Sequence, residues 1–269
     1  MQTSTRVAAL LGTVLCAAMF ARAQDKEREM TCDDRWHDND RISHCEINEV
    51  SLAAVRSLGV DGGMNGGVTV KGWDRNNILV RARVETMAES AGAAKSLASQ
   101  IIVHTSGGQI RAAGPQLSHR QSWSVSYEVF VPRKIDLTLK THNGGIHIAD
   151  VQGEIDFDAL NGGVSLKRLA GNVHGHTTNG GLNVELAGNR WNGAQLDART
   201  TNGGVSMSVP ADYSARIETG TVNGHINVDF PVTVQGALDR QLSVTLGSGG
   251  PLVRAVTTNG GVSIKRKST

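Results

Sequence analysis

An eight-residue stretch, Thr177-Thr178-Asn179-Gly180-Gly181-Leu182-Asn183-Val184, constrains the fold of this chain because close copies of it recur to the end of the sequence. The copies share the template Thr-x-Asn-Gly-Gly-Φ-x-Φ, where Φ is Ile, Val, Leu or Met. Their asparagines are Asn143, Asn161, Asn179, Asn202, Asn223 and Asn259, and Asn65 begins a more distant relative. The intervals are 18, 18, 23, 21 and 36 residues, and 36 is twice 18. Such a period indicates one supersecondary unit stacked on copies of itself.

Apolar residues alternate with polar ones on both sides of each asparagine, as in strands that show one face to a core and one to water. Two folds fit this pattern. Asn-Gly between alternating apolar residues is a strong hairpin signal, which favours an antiparallel meander. The other fold is a coil with a second corner half a period away, which Gly153, Gly171 and Gly249-Gly250 would form. Because equivalent residues recur in every period, we predict an all-β, two-sheeted parallel β-helix-like solenoid of about six coils over residues 134–266.

The repeated Asn-Gly-Gly is predicted to be a structural corner. Asn and Gly tolerate a positive φ that would strain a β-branched residue, so we expect left-handed backbone there. Stacked Asn and Thr side chains are expected to hydrogen-bond from coil to coil and so satisfy polar groups at the corner.

The chain before the repeats is predicted to be a β section with one helix, over residues 51–133. Ile78–Val84, which alternates in its later half, and Ser122–Val131, which alternates throughout, are predicted to be strands. Pro132 ends the section because it cannot donate to a ladder. Glu85–Gln100 is rich in alanine, with apolar residues at helical spacing, and is predicted to be a helix of about four turns.

The N-terminus is typical of an export signal. Arg6 is followed by an apolar run from Val7 to Phe20 and by Ala21-Arg22-Ala23, so we predict a signal peptide over residues 1–23. The apolar run is shorter than the roughly 20 residues that a membrane span needs, so no transmembrane segment is expected in the mature chain. The protein is expected to be exported to the periplasm, the cell surface or the medium.

Removal of the signal peptide leaves a chain that is electrically balanced, with 25 basic and 25 acidic side chains. That balance predicts no binding to nucleic acid. Two cysteines remain, Cys32 and Cys45, and in an oxidising compartment they are predicted to form a disulfide. It would hold a polar N-terminal arm, residues 24–50, which lacks strand or helix periodicity. A short tail at residues 267–269 ends the chain.

Several motifs together resemble the bacterial putative-adhesin family, domain of unknown function 4097. They are the Asn-Gly-Gly-Φ-x-Φ series, Cys45-Glu46 at the entry to the first strand, the strand Trp123–Val129, and Leu246-Gly247-Ser248-Gly249-Gly250. The resemblance covers most of the mature chain. It implies an envelope-associated β-solenoid with an adhesive role presumed from architecture, and it supplies no catalytic residues.

Candidate chemistry is sparse. Among His142, His147, His174 and His176, the last two lie two residues apart on the outward face of one strand, a spacing that can chelate Zn or Cu. No Cys, Asp or Glu belongs to a recognisable metal motif with them, so solvent-exposed histidines are the favoured interpretation. We predict no cofactor and no catalytic residue.

The sequence therefore favours a non-catalytic, adhesin-like exported protein whose repetitive surface contacts an envelope or extracellular partner, with polysaccharide as one option. Two alternatives stay open. One is an envelope scaffold that assembles end to end. The other is a glycan-active enzyme using Asp156 and Asp158, which a carboxylate pair could support.

Overall fold

The computed structural model describes residues 30–32, 40–230 and 240–267. The predicted signal peptide, most of the predicted N-terminal arm before Asp40, and the last two residues of the tail lie outside this part of the chain. The first described elements are β1 (Ile42–Ala53), β2 (Ser57–Asp61), β3 (Val68–Trp73), β4 (Asn77–Ala88), α1 (Ala91–Ala98), β5 (Ile102–His104), β6 (Gln109–Ala113) and β7 (Ser122–Pro132). The remaining strands are β8 (Asp136–Thr141), β9 (Ile146–Ala149), β10 (Gln152–Asn161), β11 (Val164–Lys167), β12 (Ala170–Asn179), β13 (Leu182–Glu185), β14 (Gln195–Asn202), β15 (Val205–Pro210), β16 (Ala215–Gly220), β17 (Ile226–Val228), β18 (Gln241–Leu246), β19 (Leu252–Asn259) and β20 (Val262–Lys267).

The strands form two ten-stranded sheets, which confirms the predicted two-sheeted solenoid. Sheet 1 has the order β1-β4-β7-β3-β9-β11-β13-β15-β20-β17, and sheet 2 has the order β18-β16-β19-β14-β12-β10-β8-β2-β6-β5. Each coil gives one strand to each sheet, and neighbouring coils pair in parallel. Equivalent residues face each other in this pairing, as Asn161 faces Asn179 and Asn179 faces Asn202.

The hydrophobic core lies between the sheets because every second side chain points inward. On β10, Ile155, Phe157 and Ala159 are buried while Asp156 and Asp158 are exposed. Burial of each such aliphatic or aromatic side chain contributes about 1.5–3 kcal/mol, which is the main favourable term for the stack. The Phe157 ring occupies space that the next coil leaves open, since a Cβ at Gly175 would lie 2.6 Å from Phe157 Cγ.

The coils do not stack in strict chain order. The last coil, β19 and β20, lies between β14–β15 and β16–β17 in both sheets. After β17 the chain forms β18, which pairs antiparallel with β16 at the edge of sheet 2, and then returns to the gap. The 36-residue interval between Asn223 and Asn259 therefore contains this edge strand, and its equality to two periods has no structural meaning.

The section before residue 134 uses the same two sheets as the repeats. Strands β2 and β3 form a coil around Asn65, and β6 and β7 form another beside it. The predicted helix is too long, because β4 continues to Ala88 with Val84, Thr86 and Ala88 buried in alternation. The helix covers only eight residues and begins after Ser90, whose hydroxyl accepts a hydrogen bond from the Ala93 amide. Such capping favours a helix start there.

The predicted absence of a strand before residue 50 is also wrong. Strand β1 pairs antiparallel with β4 over twelve residues. It lacks a clear apolar alternation because it lies at the edge of sheet 1, where most of its side chains are partly or fully exposed. Cys45 on this strand forms a disulfide with Cys32. Among the described residues, no helix has the length and apolarity to cross a membrane.

Candidate functional site

The Asn-Gly-Gly turns form a straight edge, here called the Asn corner. Its asparagine side chains are exposed and form one hydrogen-bonded ladder, in which each amide nitrogen donates to the amide oxygen of the neighbouring coil at 2.7–3.0 Å. In spatial order the ladder is Asn65, Asn143, Asn161, Asn179, Asn202, Asn259 and Asn223. The Asn corner therefore presents the same amide group once per strand spacing, roughly every 4.8 Å.

The first glycine of each turn is required by packing between coils. A Cβ at Gly180 would lie 2.1 Å from the carbonyl oxygen of Gly162, and a Cβ at Gly162 would lie 2.1 Å from that of Gly144. The expectation of left-handed backbone at this corner is wrong: of the corner asparagines and glycines, only Gly260 has a positive φ, at 157°, which is close to extended. Glycine is needed there because the next coil leaves no room for a side chain.

Threonines two residues before the asparagines anchor this corner from inside. Thr177 donates to the Gly162 carbonyl, Thr200 to the Gly180 carbonyl and Thr257 to the Gly203 carbonyl, each at 2.7 Å. These threonines are at most 5% exposed. Each bond joins two adjacent coils and satisfies a hydroxyl that burial would otherwise leave unpaired.

Left-handed backbone occurs at the opposite corner, where each sheet 1 strand leads into the next coil. Asp150 and Arg168 have φ of 60° and 52°, and Gly171 has φ of 103°. The Arg168 guanidinium donates to both carboxylate oxygens of Asp150, at 2.9 and 2.7 Å. At this corner, Asp150 and Arg168 adopt the left-handed conformation that residues other than glycine rarely adopt, and they also form an ion pair between coils.

The two histidines predicted as metal candidates lie on the outer face of sheet 2. Strand pairing places His174 between Asp156 and Asp197, and His176 between Asp158 and Arg199. His176 Nε2 lies 3.7 Å from Asp158 Oδ1, and both side chains are more than half exposed. His174 Nε2 lies 3.3 Å from Gln195 Nε2.

The other two histidines are separate from this pair. His147 is on β9 in sheet 1, and His142 directly precedes Asn143 at the Asn corner. Within residues 30–32, 40–230 and 240–267, no three His, Cys, Asp or Glu side chains are grouped so that they could hold a metal ion. The arrangement brings one carboxylate and one imidazole together on the open face, those of Asp158 and His176.

A denser set of charges lies further along the same face. Asp197 accepts hydrogen bonds from Arg199 at 2.7 Å and from Arg254 at 3.4 Å, and Arg254 also lies 4.0 Å from Glu218. Burial acts to raise the pKa of Asp197, but the hydrogen bonds and charges of the two arginines outweigh it and lower that pKa below its usual range. This carboxylate therefore stays ionised near neutral pH.

Beside these charges is a shallow open groove of about 990 Å³, here called the β18 groove. Its central row consists of Arg199, Val256, Gly220 and Gln241 on four adjacent strands, with β18 as one wall. Arg254, Glu218 and the exposed Val222 also line it. Sequence reasoning did not find it, although Val256 and Gly220 stand where the earlier repeats have charged or polar residues.

One family model and several solved structures match the chain. The Toastrack DUF4097 family model matches residues 65–265. Among solved structures, the chain is similar to a "putative cell adhesion protein" from Clostridium sporogenes, at 13% identity and a TM-score of 0.46, covering 84% of this chain and 100% of that one. It is also similar to a "putative adhesin" from Bacteroides fragilis, at 9% identity and a TM-score of 0.28, covering 82% and 97%. None of the curated proteins matches the chain.

Proposed function

Since this chain belongs to the Toastrack DUF4097 family, we propose that it is a non-catalytic, adhesin-like exported protein. Its mature form begins near Gln24 and presents a repetitive β surface to a partner in the cell envelope or outside the cell. The partner is a glycan or protein with a repeating surface. No cofactor takes part in this role.

The observation that carries the proposal is the register of the stack. The Asn corner repeats one amide per coil, and the outer faces place side chains in rows across up to ten strands of each sheet. A rigid row of groups about 4.8 Å apart can match a polymer in which a chemical unit recurs at a similar distance. Many weak, equivalent contacts then add up without a deep pocket.

The side chains considered for catalysis support a binding role better than a chemical one. Asp156 and Asp158 are exposed neighbours on the outer face of one strand, and Asp158 pairs with His176. Substrate sites are usually concave and enclose the reacting groups. Asp158 lies instead on an open face, where its side chain is 55% exposed beside His176.

The stack ends favour a protein that acts without end-to-end assembly. At one end of sheet 1 is β1, with twelve residues, and at the other is β17, with three. Joining these edges would leave most backbone groups of β1 unpaired by the partner strand. Short edges are also a common protection against edge-to-edge association.

A binding assay tests the proposal. The purified mature chain is mixed with separated polysaccharide and protein fractions of the producer's envelope, and cosedimentation and released fragments are measured. We expect saturable binding to at least one insoluble fraction and no release of soluble fragments. Absence of binding to every fraction contradicts the binding role, and fragment release that Asp158→Ala abolishes supports the enzyme alternative.

Sedimentation velocity of the same preparation tests the scaffold alternative. A monomer at high protein concentration is expected. Concentration-dependent polymers would contradict the proposal that the chain presents its faces as a single stack.

A further inference from the structure

We propose that the β18 groove is a binding site for an uncharged saccharide segment of an extended polysaccharide. This inference deepens the proposed function and rests on it. It assigns the ligand class and one position on the long outer face of sheet 2, where the repeat pattern of the chain changes.

The first argument is the change in the row three residues before each corner asparagine. In spatial order this row carries the charged or polar Lys140, Asp158, His176 and Arg199, and then Val256 and Gly220. An apolar side chain and a missing side chain thus follow four polar ones. They form a small apolar floor in the β18 groove, on a face whose outward side chains are mostly polar.

The residue that precedes the asparagine of the last coil in the stack continues this floor. Val222 is 55% exposed, one of the largest exposures of an apolar side chain among the described residues. Its carbonyl accepts a hydrogen bond from Arg240 at 2.8 Å, which joins it to the wall that β18 forms. Exposed apolar surface beside polar groups is typical of ligand sites.

The second argument is the charge balance of the wall. Arg199 and Arg254 carry positive charges, and Asp197 and Glu218 carry negative ones, so the four groups cancel. The Asp197 side chain is only 18% exposed and is held between both arginines. An anionic ligand would have to displace a carboxylate from its guanidinium partner, and a cationic ligand would have to displace an arginine.

A hydroxyl group suits this wall because it donates and accepts hydrogen bonds at once. Guanidinium groups have several N–H donors, and the carboxylates keep lone pairs that a hydroxyl can use. The amide of Gln241, on the opposite side of the groove, adds one donor group and one acceptor. A sugar ring carries hydroxyls at its rim and C–H groups on its faces, which match the polar walls and the apolar floor.

The size of the groove fits a short saccharide segment. Its volume of about 990 Å³ lies at the upper end of the range for small-molecule sites. The groove is partly open to solvent, so it can contact one segment of a longer chain while the rest of that chain stays in solvent.

The test compares a blocking substitution with a matched control. Val256→Trp fills the floor, and Lys140→Trp places the same side chain at the equivalent position of β8, outside the groove. Thr258→Trp is a second blocking variant at an exposed lining residue. Circular dichroism and thermal midpoints establish that all three variants fold. Calorimetry then measures binding to neutral oligosaccharides (glucan, mannan and galactan series) and to polygalacturonate.

We expect the wild-type chain to bind at least one neutral series, with affinity that rises with length until the groove is filled. Val256→Trp and Thr258→Trp should each weaken this binding at least tenfold, and Lys140→Trp should change it less than twofold. Equal binding by the blocking variants and the wild type, binding of polygalacturonate alone, or binding of no saccharide overturns the assignment.

The envelope assay separates this result from the proposed function. If the wild-type chain and Val256→Trp cosediment equally with an envelope fraction, the surface role stands and the groove assignment fails. If the wild-type chain binds no envelope fraction, the proposed function itself fails.

Discussion

The two corners of the stack differ in how much variation they contain. At the Asn corner every coil from Asn143 onward has four residues between the inward residue two before the asparagine and the inward apolar residue three after it, and the asparagine side chains form one ladder. At the opposite corner the connections differ in length: residues 150–151, 168–169, 186–194 and 211–214. The uneven intervals between repeats therefore arise largely at the opposite corner.

The difference shows what holds a corner constant. At the Asn corner the backbone of one coil touches the backbone of the next, as the 2.1 Å from a Cβ at Gly180 to the Gly162 carbonyl oxygen shows. At the opposite corner such contacts occur where the chain enters sheet 2, as at Gly171, whose Cβ would lie 2.2 Å from the Gly153 carbonyl oxygen. The connection before that point can still extend into solvent, as at Gly188, where a Cβ would meet nothing within 4 Å. Close contact between coils therefore keeps the Asn-Gly-Gly turn the same from coil to coil, and the conformation of the turn itself matters less.

The largest expected effect comes from insertion of two residues, Ser-Gly, at each corner. Between Gly180 and Gly181 the insertion separates the corner from both neighbouring coils and should lower the free energy of unfolding by more than about 4 kcal/mol. Between Gly188 and Asn189 it lengthens an exposed loop and should cost less than about 1 kcal/mol. Urea unfolding monitored by circular dichroism measures both. Similar losses at the two sites would show that the corners do not differ.

The next effect separates the two glycines of one turn. Gly180→Ala places a methyl group 2.1 Å from the Gly162 carbonyl oxygen and should cost about 3 kcal/mol, because backbone must move. Gly181→Ala places it 3.6 Å from the Gly204 carbonyl oxygen, an ordinary contact, and should cost less than about 1 kcal/mol. The same unfolding assay measures the pair. Equal costs would mean that glycine is needed for chain flexibility and not for space.

The fold was largely predictable because its signals are local. Alternation around each asparagine fixes which side chains point inward, and repetition at matching places predicts stacking in register. The insertion of β19 between β14 and β16 was not predictable, since any coil of similar pattern can occupy that place. The need for space at the corner glycines was also not predictable. It depends on a carbonyl group in the adjacent coil, and the residues around each glycine do not show how close that carbonyl lies.

The candidate site shows the same limit. Val256 and Gly220 are neighbours in sheet 2, yet they lie 36 residues apart in sequence and in reversed spatial order. Each looks like an isolated departure from the repeat until the coil order is known. The edge strand β1 and the short α1 were misjudged for a different reason. Edge strands need no apolar alternation, and the four residues Glu85–Ala88 are too few for their pattern to separate the end of a strand from the start of a helix.

A smaller effect tests the inner side of the Asn corner. Thr200→Val keeps the shape but removes the hydroxyl that donates to the Gly180 carbonyl at 2.7 Å, and it should cost about 1.5 kcal/mol because the group is buried. Thr201→Val, at the exposed neighbouring position, should cost less than about 0.5 kcal/mol. If the two substitutions lower the free energy of urea unfolding equally, the Thr200 hydrogen bond does not stabilise the corner.

The smallest effect concerns the ladder itself. Asn179→Ala removes the bond donated to Asn161 and the bond accepted from Asn202. Both are exposed, so water replaces them, and the expected cost is about 0.5–1 kcal/mol, against less than about 0.5 kcal/mol for Asn183→Ala on the open face of β13. The ladder thus adds little to a corner that glycine packing and buried threonines already stabilise. A loss of unfolding free energy above about 2 kcal/mol for Asn179→Ala would show that the ladder stabilises the corner more than a buried threonine does. With a cost as small as expected, replacing a few of these asparagines leaves the stack folded. The contribution of their amides to binding a partner can then be measured separately from their contribution to stability.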